Sequence, residues 1–203
     1  MKLICHRGAR HEYEEVERGI KLFSVSQIRR VAHDPFVGVS ESILEPARKR
    51  GTILHRRFAL ALYATEGLCT HPEIIEEYRG YCLAQDTWIK KNDVKPIKVE
   101  QASLSIKFGY AGTPDGLVTY GTLQTLTLLD LKTGSPQPTD IMQILAYKEM
   151  AGYEDTSVLL DLYVHEDGSY TEKFVKRAER ATEWAWFMSA LGVLQSRANH
   201  GMK

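Results

Sequence analysis

The chain has 203 residues, enough for one domain with a sizeable core, and its 26 Lys and Arg balance 26 Asp and Glu to a formal net charge of zero. No global basic field draws it to nucleic acid, so any polyanion must be met by a local patch. Cys5, Cys69 and Cys82 show no Cys-x-x-Cys spacing, which argues against a zinc knuckle or a disulfide framework and for a reducing compartment. No apolar run approaches about 18 residues and no signal-peptide pattern is present, so a soluble, cytoplasmic protein without a membrane partner is expected.

Taken in order, His11 to Phe23 mixes charge with β-formers around Gly19 and predicts a two-stranded hairpin. Ser24-Val25-Ser26 opens a short helix, Gln27 to Ala32, with a serine as N-cap. The helix ends before Asp34-Pro35, since a residue preceding proline disfavours helix. From Ser40 to Glu66 the pattern is helical, with Pro46 marking a kink or a second start. Ile53, Leu54, Phe58, Ala61 and Leu62 make its apolar stripe, and His55 sits at the border. By itself such a histidine is usually a satisfied helix residue. Arg48-Lys49-Arg50 with Arg56-Arg57 is the densest basic cluster, and its simplest reading is a solvated helix face. Gly51 costs about 1 kcal/mol against alanine inside a helix, so either another backbone approaches there or the helix breaks. Thr70-His71-Pro72-Glu73 reads as a capping box that starts a helix to Lys91, with Ile74, Tyr78, Cys82, Gln85 and Trp88/Ile89 near one face.

Three strands follow: Ile97 to Lys107, Tyr110 to Tyr120, and Leu123 to Leu131. Short turns make them an antiparallel meander, the second strand being interrupted at Gly112-Thr113-Pro114-Asp115-Gly116. Thr139 caps a helix to about Ala151, closed by Gly152. Thr156 to His165 is another apolar strand, Asp167-Gly168 a hairpin turn, and Ser169 to Val175 an edge strand. A last helix covers Glu179 to Arg197 with Trp184, Phe187, Met188, Leu191 and Leu194 inward. This order predicts an α/β fold, a mixed β-sheet flanked by helices. One domain is expected over 1–203, with hairpin and helices in 1–95, the core in 96–165, and an edge strand and helix in 166–203.

Leu126 to Lys132 reads as a strand buried on both faces, yet it carries Asp130 and Lys132 at its far end. Strand alternation points both side chains to one face, and buried ions must be paired or hold a metal. An acid-x-lysine triplet arises about once or twice in 200 residues by chance, so the triplet alone means little. Asp93-Val94-Lys95 is such a decoy, set among Lys90, Lys91, Asn92 and Pro96 in a solvated loop. Gly112 to Gly116 is either a plain turn or a bend that aims Asp115 at Asp130. Two carboxylates brought together raise each other's pKa unless a cation lies between them, and hard oxygen donors suit Mg²⁺ or Mn²⁺. Gln143 and Tyr147, one turn apart on the next helix, either line a core edge or reach a phosphate or the lysine.

Gly112-x-x-Asp115, then Asp130-x-Lys132-Thr133-Gly134, then Gln143-x-x-x-Tyr147 resembles the PD-(D/E)xK nuclease superfamily. Gly51-x-x-x-His55 before the core strands narrows the resemblance to the RecB-like branch, and Ser24-Val25-Ser26-Gln27-Ile28 is similar to the opening of phage and mitochondrial genome-maintenance exonucleases. The resemblance spans about residues 24 to 165 and implies a restriction-endonuclease-like core. It implies Asp115, Asp130, the Leu131 carbonyl and His55 as ligands of Mg²⁺ or Mn²⁺, and Lys132 as the residue that orients the attacking water. Gln143 and Tyr147 would position the DNA or the lysine; a glutamate near the first core strand, here Glu100, is frequent in relatives. Some members carry a four-cysteine iron–sulfur cluster; with no cysteine after Cys82, none is expected here.

The implied activity is a metal-dependent DNA exonuclease of phage recombination or DNA processing. Linear ends or single strands would be its substrate, and a single-strand annealing or recombination protein its partner. Arg50, Arg56 and Arg57 would contact phosphates. The alternatives are a structure-specific or restriction-like endonuclease, and an inactive nucleic-acid-binding module on a nuclease fold.

Overall fold

The computed structural model describes residues 3–6, 12–17, 19–34 and 37–201. His11 and Pro35, named above as the start of a hairpin and the stop of a helix, lie outside the described residues. The strands form two five-stranded sheets among the described residues.

The smaller sheet has strands β1 (Leu3–His6), β2 (Glu12–Glu15) and β3 (Ile20–Ser24), with β5 (Ser103–Ser105) and β6 (Tyr110–Gly112) from later in the chain. The β2–β3 hairpin is the expected one, and β3 pairs in parallel with β6. Ser24 then caps α1 (Val25–Ala32): its hydroxyl accepts from the Gln27 backbone N–H while the Gln27 side chain accepts from the Ser24 N–H. This reciprocal box, which satisfies two otherwise orphaned donors, starts the helix two residues before the expected position.

The main sheet runs β10 (Tyr170–Phe174), β9 (Val158–Val164), β8 (Thr125–Lys132), β7 (Gly116–Tyr120) and β4 (Lys95–Val99). All its pairs are antiparallel except β8–β9, which is parallel and bridged by α4 (Asp140–Lys148). The antiparallel meander therefore exists as β4–β7–β8. The expected long strands 97–107 and 110–120 are each split, however, and their halves β5 and β6 leave for the smaller sheet. Gly112 to Asp115 is the passage between sheets rather than an interruption within one strand.

Alternation along β8 divides the core. Leu129 and Leu131 pack on one face with α2 (Glu41–Thr65) and α3 (Arg79–Lys91), through Leu54, Phe58, Leu62, Cys82 and Trp88. Leu128 packs on the other with α1, α4 and α5 (Arg177–Asn199), through Ile28, Met142, Phe187 and Leu191. Asp130 and Lys132 share the face of Leu128, so they point under α4.

Three local expectations change. Helix α2 is continuous through Pro46 and Gly51, and a Cβ built on Gly51 would make only ordinary contact with Thr133 Oγ1 at 3.7 Å. The predicted capping box at Thr70 does not form: a short 3₁₀ turn (Glu76–Tyr78) precedes α3, which begins at Arg79. The cause is Arg57, whose guanidinium takes the Pro72 and Glu73 carbonyls at 3.4 and 3.1 Å and holds that stretch out of helix. Thr139 stands at the N-cap of α4, but its hydroxyl accepts from Arg29 instead of the helix. The helix stops at Lys148, earlier than Ala151.

Candidate active site

Asp115 leads into β7 directly across from the end of β8, because Gly116 pairs with Leu129 and the next step outward sets Asp115 beside Asp130. One Asp115 oxygen accepts from His55 Nδ1 at 2.7 Å, and the other accepts from the Leu131 backbone N–H at 2.6 Å. In a strand the N–H and C=O of one residue point to the same side. The Leu131 carbonyl therefore also faces Asp115, where β7 has already ended. Glu100 completes the group. One ligand atom each from His55, Glu100 and Asp115 lie within 4.8 Å of one another. The Glu100 backbone holds a left-handed φ of 49° and donates its N–H to the Asp115 carbonyl at 3.2 Å.

Asp130 stands apart from that triplet of donors. It is 2% exposed and ion-paired with Lys132. The lysine ammonium also donates to Gln143 Oε1 at 2.6 Å and lies 3.4 Å from Asp140. Gln143 in turn donates to the Tyr147 hydroxyl at 2.9 Å and accepts from Arg29. Arg29 further donates to Asp140 at 3.0 Å, and Asp140 accepts from Tyr163 and from the Gln137 backbone N–H, both at 2.8 Å. The lysine is thus gripped from β8 and from the first turns of α4.

Gly112 connects this grip to the smaller sheet. A Cβ there would come within 2.7 Å of Tyr147 Cε1 and 3.0 Å of Val25 Cγ2, so the tyrosine ring lies on the bare backbone of the glycine. Two of the sequence motifs therefore meet as one contact.

The electrostatics follow from burial and pairing. Burial alone would lower the His55 imidazole, but the Asp115 carboxylate outweighs it and, with Asp130 and Glu100, raises it to about 9. Burial would likewise raise Asp115, yet His55 and the Leu131 N–H hold it below the usual carboxylate range. For Asp130 burial prevails over the neighbouring Lys132 and, helped by Asp115, pushes the carboxyl up to about 6. Such a set resists ionising fully, and a divalent cation among the donors would relieve it. Three donor atoms converging within 4.8 Å, two oxygens and one nitrogen, are compatible with a divalent cation.

Of the residues singled out from the sequence, the structure gathers His55, Glu100, Asp115, Asp130, Leu131, Lys132, Gln143 and Tyr147. The arginines separate. Arg57 is 3% exposed and is held by Asp86 at 2.7 Å and Gln85 at 2.9 Å, as well as by the carbonyls noted above. It is a buried structural cation and cannot reach DNA. Arg50 is half-buried, donates to the Thr133 carbonyl at 3.2 Å and lies over the Tyr81 ring, while Arg56 is exposed. Sequence reasoning missed Arg29, Asp140 and Asp161. Asp161 is fully buried on β9, whose run Val158-Leu159-Leu160-Asp161-Leu162-Tyr163-Val164 carries the same signal that singled out Asp130.

No family model matches the chain, and no curated protein does. Among solved structures, the chain is similar to an alkaline exonuclease (LHK-Exo) from Laribacter hongkongensis, with 17% identity over 89% of this chain and 92% of that one and a TM-score of 0.42. The same enzyme in complex with dAMP gives 18% identity over 88% and 90%, with a TM-score of 0.45. The protein SSO0001 gives 13% identity over 82% and 74%, with a TM-score of 0.42. In its motif order and in the mixed-sheet core that carries the motifs, the chain resembles the PD-(D/E)xK superfamily and its RecB-like branch.

Proposed function

We propose that the protein is a Mg²⁺- or Mn²⁺-dependent DNA exonuclease that hydrolyses phosphodiester bonds, of the kind used in phage recombination or DNA processing. The observation that carries this reading is the adjacency of a three-donor cluster, His55, Glu100 and Asp115, to a buried lysine held by Asp130 and Gln143. A bound divalent cation would lower the pKa of a water and offset charge on the phosphate. Asp115, Glu100, His55, the Leu131 carbonyl and Asp130 would hold it.

The chain's own residues do the rest. Lys132 places a fixed positive charge where the water oxygen bonds to phosphorus and the ester P–O bond breaks, in a site where water is largely excluded. Gln143 and Tyr147 fix the lysine's direction, so that little reorganisation accompanies reaction. Exposed Arg56 on α2 and half-buried Arg50 six positions before it would supply phosphate contacts that carry no base information.

The test is digestion of end-labelled linear, single-stranded and covalently closed circular DNA with Mg²⁺, Mn²⁺ or EDTA. Mononucleotide release from ends, lost in EDTA, is the expected result. Cutting of closed circles would replace the exonuclease with an endonuclease. Absence of both cleavage and Mn²⁺ binding would leave a binding module.

A further inference from the structure

Around the lysine, the polar groups of β7, β8 and α4 are spoken for. Asp115 holds His55 and Leu131, Asp130 holds Lys132, and Gln143 holds Lys132, Arg29 and Tyr147. Asp140 has Arg29 on one oxygen, with Tyr163 and the Gln137 N–H on the other. Asp161 is the exception: it is 0% exposed, and neither of its oxygens has a hydrogen-bond partner among the described residues.

Its position is defined by register. Asp161 on β9 is the direct partner of Asp130 on the parallel strand β8, so both side chains rise from the same face at the same level. On its other side the partner is Lys173 of β10, whose ammonium does not come within 4 Å of the Asp161 oxygens. An asparagine or leucine would fill this space without the penalty of an unpaired buried carboxylate. A charge kept there calls for a cation in some other state of the site.

Resting on the activity proposed above, that state is evident. Were Asp130 to ligate a divalent cation, its hold on Lys132, made through one carboxylate oxygen, would weaken. Gln143 Oε1 is already shared with Arg29, and Asp140, 3.4 Å from the ammonium, divides its oxygens among Arg29, Tyr163 and the Gln137 N–H as well. Asp161 alone offers two open acceptor oxygens, and a four-carbon lysine stem is flexible enough to turn toward it. We infer that Asp161 is a positioning residue, a further carboxylate anchor of Lys132, which would hold the ammonium in line with the phosphate when Asp130 turns to the cation.

The experiment compares wild type with Asp161→Asn and, as the alternative-partner control, Lys173→Met. Lysine side chains labelled with ¹⁵N report the Lys132 ammonium by NMR without and with Mg²⁺, and cleavage of end-labelled linear DNA gives kcat and KM. The Asp161→Asn ammonium signal should match wild type without Mg²⁺ and broaden with it, while wild type keeps a sharp signal in both. The kcat of Asp161→Asn should fall about tenfold, as for loss of one charge-assisted hydrogen bond, with KM little changed. Lys173→Met should match wild type in both readouts.

Wild-type kcat and an unchanged Mg²⁺-loaded signal in Asp161→Asn would overturn the inference while leaving the nuclease intact. An equal loss in Lys173→Met would also overturn it, assigning Asp161 to Lys173. A wild type that neither cuts DNA nor binds Mn²⁺ takes down the proposed activity and the inference together. If Asp161→Asn folds poorly, Asp161→Ser carries the same readouts.

Discussion

Asp93-Val94-Lys95 and Asp130-Leu131-Lys132 have the same chemistry but different backbones: Asp93 lies in the turn after α3 with a φ of 44°, whereas Asp130 to Lys132 end strand β8. In both, the middle residue is buried, Val94 at 3% and Leu131 at 1% exposure, and what differs is the face the charges meet. At the first triplet that face is water: Asp93 and Lys95 are exposed, and the aspartate accepts from Gln124 at 3.1 Å. At the second, α4 covers the face, and Asp130 and Lys132 are forced into a network with Gln143 and Asp140. A triplet becomes a buried ion pair only when a second layer removes its water.

Substitution tests this contrast most strongly. Asp130→Asn and Lys132→Ala should each lower cleavage about 100- to 1,000-fold, as removal of one preorganised charge does, with circular dichroism unchanged. Asp93→Asn and Lys95→Ala should leave activity intact and stability within about 0.5 kcal/mol. Comparable losses at both triplets would erase the distinction.

The neighbours Arg56 and Arg57 repeat the contrast on one helix. Arg57→Ala strips a buried pair of its cation and should destabilise the fold by about 3 to 5 kcal/mol in urea unfolding. Arg56→Ala should leave stability alone and reduce the salt slope of DNA binding by about one.

Proton linkage gives a third measure. Asp130 raised to about 6, Asp161 raised by burial to about 7 and His55 raised to about 9 all make the folded, metal-free protein bind protons more readily than the unfolded chain. Its stability is therefore greatest below the unfolded pKa values and declines as pH rises, from 3.8 toward 7 for the two aspartates and from 6.5 toward 9 for the histidine. Asp115 has the opposite sign: its stabilisation is fully present above the usual 3.8 and is lost only as pH falls below it, so it leaves the trend at higher pH unchanged. Thermal unfolding in EDTA should show the decline, and saturating Mn²⁺ should flatten it. Because the cation displaces the His55 proton, Mn²⁺ affinity should rise with pH up to about 9. A Tm in EDTA that climbs between pH 5 and 8 would contradict this electrostatic account.

The smallest effect expected is at Gly112. Its alanine variant must displace the Tyr147 ring, costing about 1 to 3 kcal/mol, and should lower cleavage less than Lys132→Ala does.

Strand β8 and the inward faces of α2, α3 and α5 were legible because local periodicity reports burial directly. His55, Asp115 and Gln143 were legible through their motifs. Other features rest on contacts far apart in sequence, which no local period records. Arg29 reaches Asp140 across 111 positions and takes the Thr139 hydroxyl that the helix pattern assigned to a cap. Arg57 similarly undoes the Thr70 capping box by claiming two carbonyls. The split of the two middle strands between sheets followed from pairing β6 with β3, a partner 87 residues earlier by the Phe23–Tyr110 register. Asp161 was legible in principle, by the same buried-charge argument that singled out Asp130.

The passage of the chain from β6 to β7 through Gly112 and Asp115 has a consequence for the order of folding. Asp115 is delivered to Asp130 from a segment whose preceding residues belong to the other sheet, and Tyr147 is seated only against that same crossing. The donors lie on or beside main-sheet strands and α2, Tyr147 rests on Gly112 of the smaller sheet, and the members come from positions 55 to 147. Such non-local closure is slow and late. The seating of Tyr147 on Gly112 is therefore expected only once both sheets have met, and the appearance of cleavage during refolding, set against closure of that contact, would time the step.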